Sequence, residues 1–375
     1  MTTTGPEEPS TAGEEVEAGG PRSYGNSPET PRPATHRRKS HPWRTAILAL
    51  ILLIVVVVVA GYLWVAHEAS PSGKPGPQVV VTIQTGSGIK QLASDLQSKG
   101  VIDSSLAFRI WSELHSVPGV SPGSYAFRKN SSFDSVRTIV SGNPNVFPID
   151  IPAGFTVSET AERVGQLPGH DAAAFANLAT GGTVRSPWQP SGSNNLDGLL
   201  GTGTYEVLPG ETNTELLEDM IDRFDADANS LGLTAGAAKL GLTPYQVITM
   251  ASIVQKEGVI AKNLGPVARV IVNRLANDMP LQMDSTVLYS EGRDGGTVTA
   301  ADLKLVTPYN TYLNKGLTPT PICFPSHAAL AAAIDPPPGS WLYFVVVQKD
   351  GTEAFADTFA EQQANEALAT QRGLG

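Results

Sequence analysis

Leu242-Thr-Pro-Tyr-Gln-Val-Ile-Thr-Met-Ala-Ser-Ile-Val-Gln-Lys-Glu-Gly258 reads as one helix that ends on a carboxylate. Thr243 is a strong N-cap residue, and Pro244 falls at the first helical position, where its missing N–H is not needed. Val247, Met250, Ala251 and Val254 recur at helical spacing, with Gln255 and Lys256 on the other side, so one face is expected to be buried. Glu257 lies beside Met250 and Ile253 at the edge of that stripe, one residue before a C-capping glycine, Gly258. The negative end of the helix dipole disfavours an ionised carboxylate there by about 0.3–1 kcal/mol, and partial desolvation adds to this. Both effects favour the protonated form, which is the state a general acid needs at neutral pH. The competing reading is an ordinary last-turn Glu paired with an Arg or Lys.

Upstream of this helix the 375-residue chain changes character several times. Residues 1–44 are rich in Pro, Gly, Ser, Thr and Glu and read as a disordered tail, because they cannot bury enough surface to offset chain entropy. Thr45 to Ala66 is an unbroken apolar run, long enough at about 1.5 Å per residue to cross a roughly 30 Å hydrocarbon core. Arg37, Arg38, Lys39 and Arg44 precede it, and Trp43 and Trp64 mark its edges. That charge bias predicts a cytoplasmic N-terminus and an outer C-terminal bulk in the cell membrane; a buried core helix is the alternative. Acids and bases balance in the tail, so the net charge of −10 belongs to the outer part. A nucleic-acid partner is not expected, since it would need a basic surface. The single cysteine, Cys323, excludes an intramolecular disulfide and a cysteine metal cluster. Six histidines are scattered with no His-Glu-x-x-His spacing, and no nucleophile elbow or phosphate loop occurs. No metal and no cofactor are expected.

Beyond the apolar run, Ser70 to Gln78 holds three prolines and two glycines and reads as a linker. Val79 to Ile83 is expected as a strand, Ile89 to Ser98 and Ser105 to Leu114 as helices, and Gly123 to Phe127 as a second strand. The passage Val81-Thr-Ile-Gln-Thr-Gly86, followed by Ile89 and Ala93, recurs 68 residues on as Ile149-Asp-Ile-Pro-Ala-Gly154, followed by Val157 and Ala161. This suggests a duplicated small module. Pro168 to Asn195 is expected as a loop, Glu211 to Leu231 as a long helix leading into the central one, and Pro266 to Asn277 as another helix. Trp341 to Val347 and Ala354 to Thr358 predict a β-hairpin around Lys349-Asp-Gly351, before a closing helix from Ala360 to Gln371.

Ala251-Ser-Ile-Val-Gln-Lys-Glu257 resembles the Ala-Ser-Ile-Val-Glu-Lys-Glu signature of the endolytic murein transglycosylases, the MltG or YceG-like family. The resemblance continues through Val272-Asn-Arg-Leu275, Leu281-Gln-Met-Asp-Ser-Thr-Val-Leu-Tyr289, Thr307-Pro-Tyr-Asn-Thr-Tyr312, Gly316-Leu317 and Pro319 to Ile322. It implies an α+β fold with a single N-terminal transmembrane helix, a LysM-like βα module and a C-terminal mixed α+β catalytic domain. The expected divisions are 1–44 cytoplasmic tail, 45–66 transmembrane helix, 67–78 linker, 79–147 LysM-like module and 148–375 catalytic region. Leu196-Asp-Gly-Leu-Leu-Gly-Thr-Gly-Thr-Tyr205 departs from the family's Leu-Glu-Gly-Phe-Leu-Phe-Pro-Asp-Thr-Tyr at Asp197 and at Thr202-Gly203, and no role is carried over to those side chains. No histidine role is assigned near the hairpin, where Glu353, Ala354 and Gln362 stand.

The resemblance implies that Glu257 is the catalytic acid; Gln255, standing where the family has its first Glu, cannot transfer a proton. It also implies that Gln282, Asp284, Tyr309 and Asn310 line the cleft and bind sugar. Each has a structural alternative: Asp284 as a helix cap, Tyr309 and Asn310 as shapers of the turn after Pro308. The implied reaction is lytic cleavage of the MurNAc-GlcNAc β-1,4 bond in nascent peptidoglycan strands, with synthases or elongation and division proteins as partners. Two rivals remain: a non-catalytic wall-binding scaffold, and a hydrolase pairing Glu257 with Asp284 as base.

Overall fold

The computed structural model describes residues 42–117 and 119–374. Residues 1–41 of the expected tail lie outside the described residues; Trp43 and Arg44 lie in the first helix, α1 (Pro42–Ala69). This helix is long and apolar enough to cross a membrane. The described chain divides into two units, one ending at Ala60 and the other beginning at Gly61. In the first, the described residues are the apolar body of α1; the second is a mixed α+β assembly carrying every other element.

The second unit begins with β1 (Gln78–Ile83), α2 (Ile89–Ser98), α3 (Ser105–Leu114), β2 (Gly123–Arg128) and α4 (Phe133–Val140). The strands pair antiparallel, with Val81 opposite Tyr125. Phe108, Trp111, Tyr125, Phe127 and Phe133 fill the core under them, joined by Val65. A second β-α-α-β set follows: β3 (Phe147–Ile151), α5 (Val157–Val164), α6 (Ala172–Gly181) and β4 (Gly203–Val207). Here Ile149 faces Tyr205.

The two sets agree in detail. Each strand-pair tyrosine donates its hydroxyl to the carbonyl four residues before it, Tyr125 to Ser121 at 3.0 Å and Tyr205 to Gly201 at 2.6 Å. In each, the second strand opens on a left-handed glycine, Gly123 (φ +142°) and Gly203 (φ +117°), opposite Ile83 and Ile151. The internal repeat visible in sequence is therefore a repeat of topology and register.

Three sequence expectations change here. The loop expected over Pro168 to Asn195 contains α6, because its Ala-rich start is capped by Asp171, which accepts from Ala174 N at 2.8 Å, and because Phe175 and Ala179 are fully buried. The long helix expected over Glu211 to Leu231 does not lead directly into the central one. It is α7 (Asn213–Ser230), and α8 (Leu233–Leu240) intervenes between Gly232 and Gly241, both left-handed. The helix expected to start at Pro266 starts five residues earlier, as α10 (Ala261–Ala276). Asn263 and Leu264 are buried there, and this packing outweighs the one backbone bond that Pro266 removes.

The quoted stretch forms α9 (Pro244–Glu257), with Thr243 and Gln246 making a reciprocal capping box. Every residue from Val247 to Val254 is buried, rather than one face. α9 is enclosed by α8, α10, α11 (Asp284–Ser290) and α12 (His327–Ile334), so its polar Thr249 and Ser252 must bond inward. They do, to the carbonyls of Tyr245 and Thr249. β5 (Tyr343–Val346), β6 (Glu353–Ala356) and α13 (Phe359–Gln371) close the chain, the two strands forming the expected hairpin.

Candidate active site

α9 delivers Glu257 to the floor of an open cleft of about 550 Å³. The cleft has three walls: Thr156, Ser158, Glu159 and Glu162 from the start of α5; Asp284, Ser285 and Tyr289 from α11; and Arg293 and Asp294 from the segment after it. Glu257 keeps a partly accessible edge toward this space while protein encloses its remaining sides.

The helix ends there for a reason different from the expected one. Gly258 is the C-cap, but its φ of −77° is open to any residue. A Cβ at 258 would stand 2.6 Å from Leu264 Cδ2 and 3.0 Å from the Val254 carbonyl. Space, not handedness, requires glycine. Gly258→Ala is expected to cost about 1–3 kcal/mol through overpacking, read as a lower midpoint in thermal unfolding.

Glu257 Oε1 accepts two hydrogen bonds from Ser285, from its hydroxyl at 2.5 Å and its backbone N–H at 3.2 Å. Burial raises the Glu257 pKa most; the Ser285 bonds oppose it, the Asp284 charge adds to it, and the Arg274 charge opposes it. The net direction is upward, toward a carboxyl that holds its proton. Arg274 stays buried and donates to the Leu342 carbonyl at 2.6 Å and the Leu281 carbonyl at 2.5 Å, tying α10 to the hairpin and to the segment before α11.

The flanking residues of the signature diverge. Gln255 turns away and accepts from Ser326 N at 2.9 Å, fixing the start of α12. Lys256 reaches into the cleft wall and pairs with Asp294.

The other expected residues do not all meet. Asp284 lines the cleft and accepts from Tyr312 OH at 2.6 Å; Met283 holds the N-cap position of α11, and no side-chain cap bond forms there. Gln282 has a left-handed backbone (φ +54°) and an exposed side chain outside the cleft lining. Tyr309 supports the wall from behind, its ring centroid 5.1 Å from that of Tyr289 and its hydroxyl 2.8 Å from Thr320 Oγ1. Asn310 is fully buried and donates to the Leu303 and Leu305 carbonyls at 3.0 and 2.9 Å. Its amide is consumed by backbone, which places it in the frame of the cleft, not in contact with its contents.

Sequence reading gave no role to Ser285, and it named Asp197 only as a departure from the family pattern. Ser285 stands inside the Leu281 to Tyr289 block, but nothing local in the sequence points it at Glu257. Asp197 is 5% exposed and accepts from Val157 N at 2.7 Å, Tyr289 OH at 2.6 Å and Asn195 Nδ2 at 2.8 Å. One carboxylate thus clamps the first turn of α5 to α11, joining two walls of the cleft.

Residues 81–367 match the model of the YceG-like family. Among curated relatives, an endolytic murein transglycosylase of Streptococcus pneumoniae (strain D39) is 28% identical over 339 residues, covering 82% of this chain and 61% of the relative. The chain therefore spans less than two thirds of that relative's length. An endolytic murein transglycosylase of Bacillus subtilis (strain 168) is 28% identical over 300 residues, covering 76% of this chain and 82% of the relative. A crystal structure of a yceG-like protein from Listeria monocytogenes has a TM-score of 0.54 at 26% identity and covers 76% of this chain and 98% of that one.

Proposed function

The chain belongs to the YceG-like family, and from that premise we propose that it is a membrane-anchored lytic transglycosylase, a lyase that cleaves the MurNAc-GlcNAc β-1,4 bond within nascent peptidoglycan strands. The observation that carries this is Glu257, a carboxyl desolvated at the floor of an open cleft and held by Ser285.

Glu257 donates its proton to the bridging oxygen as the C1–O bond of MurNAc breaks, and GlcNAc leaves with a new hydroxyl. The resulting carboxylate then takes the proton of the MurNAc C6 hydroxyl, whose oxygen bonds to C1 and closes a 1,6-anhydro ring. Glu257 ends as it began, protonated. The nucleophile is already tethered to the substrate, so one carboxylate suffices where hydrolysis uses two. Asp284 and Ser285 supply polar contacts to sugar from the α11 wall; Tyr309 backs that wall through Tyr289, Asn310 holds the turn at residues 303–305, and Gln282 serves as an outer contact.

A product assay tests this. Anhydro-muramic ends support lytic cleavage, whereas reducing ends favour the rival hydrolase, for which Asp284 in the same cleft is the candidate base. Intact glycan with retained binding would favour a scaffold. Ser285→Ala is expected to lower kcat by about tenfold, the worth of one hydrogen bond to a charged group. Because the lost hydroxyl favoured the carboxylate, the Glu257 pKa rises further, and the alkaline limb of the pH–rate profile moves to higher pH.

In this reading α1 spans the cell membrane once with the N-terminus cytoplasmic, which sets the second unit outside, among newly polymerised strands. The β1-α2-α3-β2 set is the LysM-like module, contacting glycan or acting as a spacer. Peptidoglycan synthases and elongation or division proteins are the partners that proximity to new strands suggests.

A further inference from the structure

Lys256 lines the cleft one residue before the acid, and its side chain is only 19% exposed. It passes the turn between β3 and α5, where a Cβ on Gly154, left-handed at φ +92°, would stand 3.7 Å from Lys256 Nζ. The ammonium then meets Asp294, its one ion-pair partner among the described residues, whose side chain is 56% exposed. A pair with so exposed a carboxylate is worth little, so Lys256 can trade Asp294 for another anion at small cost. The second cation lining the cleft, Arg293, is committed. It donates to Glu291 at 2.8 Å, to Asp302 at 3.1 Å and to the Thr297 carbonyl at 3.0 Å.

The rest of the lining is acidic, with Glu159 and Glu162 on the α5 wall and Asp284 on the α11 wall. An anionic group entering the cleft is repelled by both walls and finds an exchangeable cation only at Lys256. In a glycan strand of alternating GlcNAc and MurNAc every linkage is β-1,4, and the two sugars differ by the lactyl arm on MurNAc. That arm ends in a carboxyl, which is either free or amide-bonded to a stem peptide with carboxylates of its own. We propose that Lys256 binds a carboxylate carried on the lactyl arm of the MurNAc whose bond is cut, and that Asp294 holds the ammonium while the cleft is empty. The proposal rests on the reading that this cleft takes peptidoglycan strands. Recognition of the arm beside Glu257 sets the register of the strand, so that the MurNAc-GlcNAc bond, rather than the next one along, meets the acid.

The test uses full-length protein in detergent and three preparations of uncrosslinked strands: with stem peptides whose carboxyls are free, with the same peptides fully amidated, and with the peptides removed to bare the lactyl carboxylate. Lys256→Met is expected to raise KM about tenfold wherever the recognised carboxylate is present, with kcat little changed, and to have no effect on the fully amidated strands. A penalty on the peptide-free strands identifies the lactyl carboxylate, and one on the free-peptide strands identifies the stem. No penalty, or an equal penalty on all three, overturns the proposal. Lys256→Arg keeps the cation and should retain most of the affinity. Asp294→Asn removes the competitor and is expected to lower KM about two- to threefold on the same strands. The two substitutions thus move KM in opposite directions, whereas a pair that merely fastened the cleft wall would weaken binding in both.

Asp294 is exposed, so Asp294→Asn keeps the test open even if Lys256→Met folds poorly; an unchanged or raised KM in it overturns the proposal. Binding of the three preparations in a Glu257→Gln background separates this site from the reading it rests on. If wild-type protein cleaves none of the strands, the proposed activity fails, while the Kd values still decide the role of Lys256. If Lys256→Met leaves every Kd unchanged in that background, the carboxylate site fails and the activity stands.

Discussion

Glu257→Gln is expected to reduce turnover of glycan strands by a factor of about 10²–10⁴ or more, because an amide of the same shape can neither give nor recover the proton. The substitution keeps the size of the side chain, and its carbonyl oxygen can still accept from Ser285, so fold and glycan binding should survive. Retained binding with lost anhydro-muramic ends is the diagnostic pair of results. Activity that persists in a well-folded Glu257→Gln protein would falsify the assignment of this residue as the acid.

The second large effect belongs to a residue that touches neither proton nor leaving group. Asp197→Ala removes the common acceptor of Val157 N, Tyr289 OH and Asn195 Nδ2. Hydrogen bonds to a charged group are worth about 1.5–3 kcal/mol each when a partner is left unpaired, so a loss of roughly 3–5 kcal/mol is expected. For a unit of this size that corresponds to about 10 °C in the thermal midpoint. Turnover should also fall, by about tenfold to a hundredfold, because the α5 and α11 walls lose their shared anchor and the cleft its alignment. Asp197→Asn preserves one acceptor and should lie between wild type and Ala. Equal melting of Ala and wild type would show that the clamp does not hold the walls.

The site was only partly legible along the chain. That a helix ends on Glu257 could be read from local signals, its start, its end and its apolar period, all within one stretch, whereas the role of acid came only from the resemblance of Ala251 to Glu257 to a family signature. Asp284 was reachable only through the resemblance of the Leu281 to Tyr289 block, which builds α11; its local reading was a helix cap, and Met283 holds that position. Asn310 was misleading: its turn is local, but the two carbonyls that consume its amide become apparent only once residues 303–305 fold back over it. Asp197 was unreadable, since its partners Val157 and Tyr289 lie 40 and 92 positions away.

By itself the sequence determined that a long apolar helix precedes a mixed α+β unit, that a small module is repeated, and that the central helix ends on a carboxylate where ionisation is disfavoured. Those properties rest on periodicity, capping and chain reach, each a matter of neighbours within a few residues. Only the tertiary structure decided that α9 is enclosed on every side, that α6 stands where a loop was expected, and which groups surround the acid. Desolvation and Coulomb coupling act through space, and the distances that set them do not exist until the helices and hairpin have packed.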